Sequence, residues 1–216
     1  MSGFLADYRV FWREFRDNFH TTGAVLPSGR ALARALTRFV ADDGSPPKRI
    51  LEVGPGTGAV TRVLVGRLGP QDRLDLVELN ERFVGRLRER FDSEPRFRSV
   101  SPRCRVLHQP VEQVADGEPY DLLISGLPLN NFSVESVEQI LATFRRLLRP
   151  GGVLSFFEYI AVRPARAVMS GQAERARLRG IGEALGRVLS AEEIRRDWIW
   201  PNIPPAWVHH VQIAKR

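Results

Sequence analysis

Short apolar runs alternate with helix-like segments along most of the chain. The apolar runs have the length and composition of strands, and they lie at residues 49–53, 73–79, 104–108, 120–125, 152–159 and 206–214. Apolar residues recur with the helical period at 60–68, 81–91 and 134–148, after the first, second and fourth runs. Nearly continuous apolar strands separated by helices indicate a mostly parallel sheet that is covered on both faces.

Two helices are predicted ahead of the first strand. Residues 4–20 carry six aromatic side chains whose spacing places them on one helical face, and the rest of that surface is balanced in charge. These residues are Phe4, Tyr8, Phe11, Trp12, Phe15 and Phe19. Such a face suits either a lipid interface or the cap of a protein core. Ser28 is the predicted N-cap of the second helix.

The segment between the fifth strand and the last is less regular. Residues 163–187 hold six arginines against two acidic residues, with scattered alanine and glycine. Ser190 and Glu193 have the spacing of a capping box, which predicts that another short helix begins there. The predicted domains are therefore N-terminal helices over residues 1–41 and an α/β domain over residues 48–216.

Composition limits the function further. The 216 residues include one cysteine, Cys104, which excludes an internal disulfide and a cysteine-rich metal site and favours a reducing compartment. Lysine and arginine number 32 against 25 acidic residues, a net charge of +7. Such an excess favours a polyanionic partner, either nucleic acid or an anionic membrane surface. A genome that favours arginine would explain the same excess.

The strongest chemical motif follows the first strand, in the sequence ILEVGPGTGAVTRVL at residues 50–64. Gly54, Gly56 and Gly58 allow a sharp turn and let a ligand approach the backbone closely. The next helix offers unpaired N–H groups at its start. Glu78 ends the second strand, where its carboxylate can accept both ribose hydroxyls of an adenosine. The loop therefore predicts a cofactor of the nucleotide type.

Two cofactors compete for this loop. The glycine spacing also fits a dinucleotide fingerprint, with Ala59 in its third place. Glu52 favours a ligand with an ammonium group and would repel a pyrophosphate, and the chain is short for a dehydrogenase with a separate substrate domain. These points favour S-adenosylmethionine, and hence a Rossmann-like methyltransferase.

A second motif, YDLLISGLPLNNF at residues 120–132, ends the fourth strand. In doubly wound folds ligands bind at the carboxyl ends of the strands, so the methyl acceptor is expected here. A family resemblance is carried by this motif's SGLPLNNF together with TGAVLPS (22–28), LEVGPGTGAVTRVL (51–64), VELNERFVGRL (77–87) and WPNIPPAWV (200–208). With these segments the chain resembles the bacterial phospholipid N-methyltransferases.

The resemblance implies a class I methyltransferase fold with a doubly wound, mostly parallel seven-stranded sheet and an antiparallel final strand. It implies methylation of the amino head group of phosphatidylethanolamine and its methylated derivatives. It also implies a cytoplasmic protein held peripherally at the inner face of an anionic cell membrane by the first helix. We expect a lipid partner, no nucleic acid and no metal.

Site residues follow from the motifs and the resemblance. The cofactor-binding candidates are Thr22, Gly23, Glu52, Gly54, Gly56, Thr57, Gly58, Glu78, Pro110, Val111, Ser125 and Gly126. Tyr159 and Glu158 are the candidates for taking the proton of the amine, although they alternate along one strand and are not expected to face one cavity. Asn131 and Asn202 are candidate orienting groups.

Two departures from the family leave alternatives open. The sequence at 156–159 is FFEY where Gln-Phe-Thr-Tyr is expected, and the added carboxylate makes ornithine lipid or another aminolipid an alternative acceptor. No acidic residue directly follows the third strand, which leaves Glu112 or backbone groups to face the adenine amino group.

Two other functions compete with this interpretation. One is a ribosomal RNA adenine methyltransferase, which carries a tyrosine where this chain has Leu129. The other is a membrane-binding module that has lost catalysis. His108, His209 and His210 are predicted to be structural.

Overall fold

The computed structural model describes residues 28–40, 46–160, 171–200 and 205–214. The aromatic residues of the predicted first helix lie outside these ranges, as do Thr22, Gly23 and Asn202. Their predicted roles remain predictions.

The described residues form one seven-stranded sheet in the order β3-β2-β1-β4-β5-β7-β6. The strands are β1 (Arg49–Val53), β2 (Arg73–Glu78), β3 (Cys104–His108), β4 (Tyr120–Ser125), β5 (Leu148–Tyr159), β6 (Glu193–Ile199) and β7 (Ala206–Gln212). Neighbours among β1 to β5 are parallel, and β7 runs antiparallel to both β5 and β6. The predicted fold, including its antiparallel final strand, is confirmed.

Helices cover both faces of the sheet. They are α1 (Ser28–Leu36), α2 (Thr61–Leu64), α3 (Glu81–Ser93), α4 (Pro95–Arg98), α5 (Val134–Leu147) and α6 (Gln172–Glu192), with short 3-10 turns at Ser101–Arg103, Val111–Gln113 and Leu129–Asn131. None of the helices in the described ranges is both long and apolar enough to cross a bilayer.

Each face of the sheet has its own apolar core. Along β1, Leu51 and Val53 pack into the core beneath α5 and α6, whereas Ile50 packs into the core beneath α1, α2, α3 and α4. This alternation follows from the two-residue period of a strand. Because both faces are covered, apolar residues of the central parallel strands are buried on either face of the sheet.

The prediction that a short helix begins at Ser190 is wrong. That residue lies in the last turn of α6, and Glu193 begins the edge strand β6. The capping-box spacing describes only local geometry. In the structure the backbone of β6 pairs with β7 at six positions, and two of its carboxylates contact histidines of β7. Most of the supposedly irregular 163–187 segment that is described also belongs to α6.

Candidate functional site

The glycine loop after β1 adopts backbone angles that favour glycine at each of its three glycines. The φ angles of Gly54, Gly56 and Gly58 are 69°, 55° and 78°. A Cβ atom at Gly54 would lie 2.6 Å from the Leu127 side chain, whereas one at Gly56 would meet nothing within 4 Å. The protein itself therefore fills the space beside Gly54, and Gly56 faces the open space that a ligand can enter.

Glu78 links the end of β2 to this loop. Its buried carboxylate accepts hydrogen bonds from the backbone N–H of Gly56, at 3.0 Å, and from that of Asn80, at 2.8 Å. Burial raises the pKa of Glu78 above its ordinary value. Glu78 has 0% of its surface exposed in this structure, so its contact with the ribose hydroxyls stays a prediction.

Glu52 lies beneath the loop with 1% of its surface exposed. Its Oε2 accepts a hydrogen bond from the Thr61 hydroxyl at 2.8 Å. Burial raises the pKa of Glu52 to about 8, so the carboxyl group is mostly protonated at neutral pH. A neutral Glu52 would not repel a pyrophosphate, so in the unliganded chain this residue does not exclude a dinucleotide.

Arg90, which the sequence did not single out, supports the loop from α3. Its guanidinium donates to the carbonyls of Thr57, at 2.8 Å, and of Gly58, at 3.3 Å. Glu94 holds the other side of the guanidinium at 2.7 Å. A Cβ at Gly58 would lie 2.6 Å from Nη1 of Arg90, so this glycine makes room for the arginine. Thr57 thus contributes its carbonyl to the support of the loop.

The end of β4 crosses directly over the glycine loop. The Gly126 N–H donates to the carbonyl of Val53 at 2.8 Å, and a Cβ at Gly126 would lie 2.6 Å from the carbonyl oxygen of Gly54. Ser125 is buried, and its hydroxyl accepts from the Leu127 N–H at 3.3 Å. The cofactor motif and the predicted acceptor motif therefore touch through their backbones.

An arginine of α6 holds the turn that follows β4. Arg177 donates to the carbonyl of Asn130 at 3.1 Å and to that of Phe132, while Glu174 pairs with it at 2.6 Å. The side-chain oxygen of Asn130 is buried and has no hydrogen-bond partner within the described part of the chain. Asn131, the predicted orienting group, is half-buried in the same turn.

Beyond β3, the predicted cofactor residues divide between the surface and the core. Pro110 is half-buried and precedes the 3-10 turn, whereas the Val111 side chain is buried in the core beneath α5 and α6. Only the backbone of Val111 can therefore face a ligand. Both carboxylate oxygens of Glu112 are buried without a hydrogen-bond partner among the described residues, and burial raises the pKa of Glu112. Glu112 thus keeps the capacity to bind a donor such as an amino group.

At the end of β5, Glu158 and Tyr159 lie on opposite faces of the sheet. The Tyr159 ring packs edge-on against Phe157, with 5.1 Å between ring centroids, and burial raises the pKa of its hydroxyl. Glu158 is half-buried and pairs in register with Trp207 of β7. This alternation agrees with the expectation that the two side chains do not face one cavity.

Each of the three histidines that are predicted to be structural has a partner. His108 Nε2 lies 3.0 Å from the carbonyl oxygen of Leu79. His209 contacts Glu193 at 2.6 Å, and His210 lies 2.8 Å from the Ser155 hydroxyl and 3.3 Å from Asp197. His209 and His210 are buried between the last strands, so their predicted structural role is confirmed.

Residues 50–152 match the model of a methyltransferase domain. The ornithine lipid N-methyltransferase of Singulisphaera acidiphila is 28% identical over 151 residues, which cover 70% of this chain and 77% of that protein. The highly reducing polyketide synthase NEC1 of Pyricularia oryzae is 33% identical over 122 residues, but the chain spans only 4% of its length.

The same fold occurs in the N-methyltransferase NodS from Bradyrhizobium japonicum WM9, whose crystal structure contains S-adenosylhomocysteine. The TM-score is 0.63 at 16% identity, and the match covers 96% of this chain and 98% of that one. The sheet order, the glycine loop and the matched domain agree with one another. The described residues therefore have the class I methyltransferase fold, with a methyltransferase domain matched over residues 50–152, and the cofactor of such a domain is S-adenosylmethionine.

Proposed function

We propose that this methyltransferase acts on the amino nitrogen of a membrane lipid head group. The observation that carries the proposal is its similarity to an ornithine lipid N-methyltransferase over 70% of the chain. That similarity extends over most of both proteins, in contrast to the match with the polyketide synthase. It agrees with the resemblance that SGLPLNNF and WPNIPPAWV indicate.

The residues at the carboxyl edge of the sheet fit the cofactor. Gly56 leaves open space beside the backbone, and the Glu78 carboxylate accepts a hydrogen bond from the N–H of the same residue. Both would hold the nucleoside part of the cofactor, and Glu112 is the candidate for its amino group because its buried oxygens lack a partner in the described chain. Bound there, S-adenosylmethionine supplies an electrophilic methyl group.

The protein must then present a neutral amine. A primary ammonium with a pKa of about 10.4 costs roughly 4–5 kcal/mol to deprotonate at pH 7. Desolvation at the end of β4 lowers that cost, because a low-dielectric site disfavours the charged form. The backbone turn held by Arg177 orients the acceptor, with Asn131 as the candidate hydrogen-bonding group.

Glu158 is the better of the two candidates for receiving the proton. Burial raises the pKa of Tyr159, so the phenol stays protonated at neutral pH and serves to pack or to donate a hydrogen bond. Glu158 lies at the carboxyl end of β5 on the opposite face and adds a carboxylate that the resembled family lacks there. An acceptor with a free primary amine suits this arrangement, and ornithine lipid and phosphatidylethanolamine both have one.

The acceptor lies in a membrane, so the enzyme works at the inner face of an anionic bilayer in this proposal. The net charge of +7 favours such a surface. The aromatic face predicted for residues 4–20 is one candidate anchor.

A mixed-vesicle assay tests the proposal. Purified protein is incubated with S-adenosylmethionine and anionic vesicles that contain equal amounts of ornithine lipid and phosphatidylethanolamine, and the lipids are analysed by mass spectrometry. Methylation of either amine is the expected result, and the ratio of products identifies the preferred acceptor. Methylation of ribosomal RNA in a parallel reaction, with neither lipid changed, would overturn it.

A further inference from the structure

Three tryptophans cluster near the ends of the last two strands. Trp198 and Trp200 are 57% and 69% exposed, and their ring centroids are 5.3 Å apart. Trp198 also contacts Trp207 across the strand pair, with 5.3 Å between centroids. Exposure of two large neighbouring rings is costly in water, which indicates that this patch has a partner.

The position of the cluster connects it to the proposed acceptor site. Trp198 of β6 pairs with Trp207 of β7, which pairs with Glu158 of β5, so these three residues form one row across the sheet. Because β6 and β5 both run antiparallel to β7, the row lies toward the carboxyl ends of β5 and β6. That edge also carries the glycine loop and the end of β4. The row thus runs from Glu158, the candidate proton acceptor, to Trp198 on the outer strand β6.

Cationic and aliphatic groups accompany the rings. Arg196 lies on the same face of β6 as Trp198, with its guanidinium 4.9 Å from the centre of the Trp207 ring. No carboxylate within the described ranges pairs with Arg196. Ile194, two residues earlier on the strand, is 47% exposed. We call Ile194, Arg196, Trp198, Trp200 and Trp207 the aromatic edge.

We infer that the aromatic edge docks on an anionic lipid bilayer and presents the lipid amine to the methyl-transfer site. This inference rests on the proposed function. Indole rings combine an apolar body with an N–H donor and favour the head-group region of a bilayer. An arginine beside them is attracted to anionic lipid, in agreement with the excess positive charge of the chain. Because the aromatic edge is close to the carboxyl ends of the strands, docking leaves little distance between head group and site.

Vesicle co-sedimentation tests the surface directly. The variants are Trp198→Ser combined with Trp200→Ser, and Arg196→Glu, mixed with vesicles of phosphatidylglycerol and phosphatidylcholine. Arg73→Glu is the matched control, because it makes the same charge change at an exposed residue at the opposite edge of the sheet. The double tryptophan variant should lower the partition coefficient about tenfold or more. Arg196→Glu should weaken binding more than Arg73→Glu, and the difference should shrink at high salt.

Two further measurements separate the possible failures. Circular dichroism and calorimetry with S-adenosylmethionine establish that each variant is folded. Unchanged vesicle binding by the folded double variant would overturn the inference. The inference would also be overturned if light scattering showed a dimer for the wild type and a monomer for the double variant while vesicle binding stayed intact. In that case β6 would be an interface between copies of the chain.

The proposed function has a separate readout. The double variant should methylate a short-chain, water-soluble aminolipid at a rate within about twofold of the wild type, because a monomeric acceptor needs no docking surface. A large loss on that substrate would place the tryptophans in the acceptor site and overturn the docking role. If the wild type methylates no aminolipid but its vesicle binding depends on the tryptophans, the proposed function fails and the docking surface stands.

Discussion

The carboxylate of Glu78 accepts a hydrogen bond from the backbone N–H of Gly56, 3.0 Å away. This contact joins the end of β2 to the one glycine of the cofactor loop beside which a Cβ would meet no neighbouring atom. The same carboxylate also accepts from Asn80, so the geometry of two adjacent loops depends on it. Glu78 therefore holds the structure of the loop and is also the residue predicted to bind the cofactor.

Replacing this carboxylate should weaken cofactor binding strongly. Glu78→Gln keeps the shape of the side chain but removes the charge that strengthens hydrogen bonds to N–H groups and ribose hydroxyls. The expected loss is about 1.5–3 kcal/mol, or roughly 10- to 150-fold in Kd for S-adenosylmethionine. Isothermal titration calorimetry measures it. Glu81→Gln is the matched control on the exposed first turn of α3, and an equal loss there would show that the effect is not specific to the loop.

The crossing of Gly126 over Gly54 predicts opposite outcomes for two glycine-to-alanine changes. In Gly126→Ala the new Cβ would lie 2.6 Å from the Gly54 carbonyl oxygen, so the loops must separate. We expect a loss of about 1–3 kcal/mol in the free energy of unfolding, together with weaker cofactor binding. A Cβ at Gly85 in α3 would meet no atom within 4 Å. Gly85→Ala should therefore raise the free energy of unfolding by about 0.5–1 kcal/mol, because alanine favours a helix. Urea unfolding of both variants tests the pair, and similar changes in both would contradict the crossing.

The fold was predictable from the sequence because its strands are buried on both faces. Apolar runs and the glycine loop are local signals, and they identified six strands and the cofactor edge. The edge strand β6 was missed because four of its seven residues are charged, namely Glu193, Arg195, Arg196 and Asp197, so it does not form an apolar run. The capping-box spacing of Ser190 then suggested a helix.

Several site contacts could not be predicted because they join distant parts of the chain. Arg90 reaches the loop 33 residues earlier, and Arg177 reaches a turn 47 residues earlier. Each arginine binds backbone carbonyls, which leave no mark in the sequence. The carboxyl partners of His209 and His210 lie on the unpredicted strand β6. The short motif that binds the cofactor could therefore be recognised in the sequence, whereas the side chains of other elements that hold it in place could not.

The buried Glu52 carboxyl should make stability fall as pH rises. In the folded chain its pKa is raised from 4.5 to about 8. Between these two pH values Glu52 is ionised in the unfolded state but still protonated in the folded state, so rising pH favours unfolding. The free energy of unfolding should decrease from about pH 5 to pH 8, and this part of the decrease should disappear in Glu52→Gln, which can still accept from Thr61. Urea unfolding at several pH values measures the difference, with exposed Glu89→Gln as the control. Parallel pH profiles for the wild type and Glu52→Gln would contradict the burial argument.

Arg177 should act as a positioning residue for the acceptor turn. Without its guanidinium, the carbonyls of Asn130 and Phe132 lose their donor and the turn after β4 becomes less ordered. We expect Arg177→Ala to lower kcat about 10- to 100-fold while the Kd for S-adenosylmethionine changes little. Arg177→Lys should restore part of the rate. Arg179→Ala, an exposed neighbour on α6, is the control. A parallel loss of cofactor affinity would show instead that Arg177 supports the whole domain.

The most direct test of the account follows an isotopically labelled methyl group from S-adenosylmethionine to lipid. Wild type, Glu78→Gln and Glu81→Gln are each mixed with anionic vesicles that contain an aminolipid, at a cofactor concentration near the wild-type Kd. We expect label on the lipid nitrogen with the wild type and Glu81→Gln at similar rates, and a rate about 5- to 75-fold lower with Glu78→Gln, which follows from the expected loss of cofactor occupancy. Label in no lipid, although calorimetry shows cofactor bound, would contradict the proposed acceptor. Equal rates for all three proteins would contradict the proposed role of Glu78 in cofactor binding.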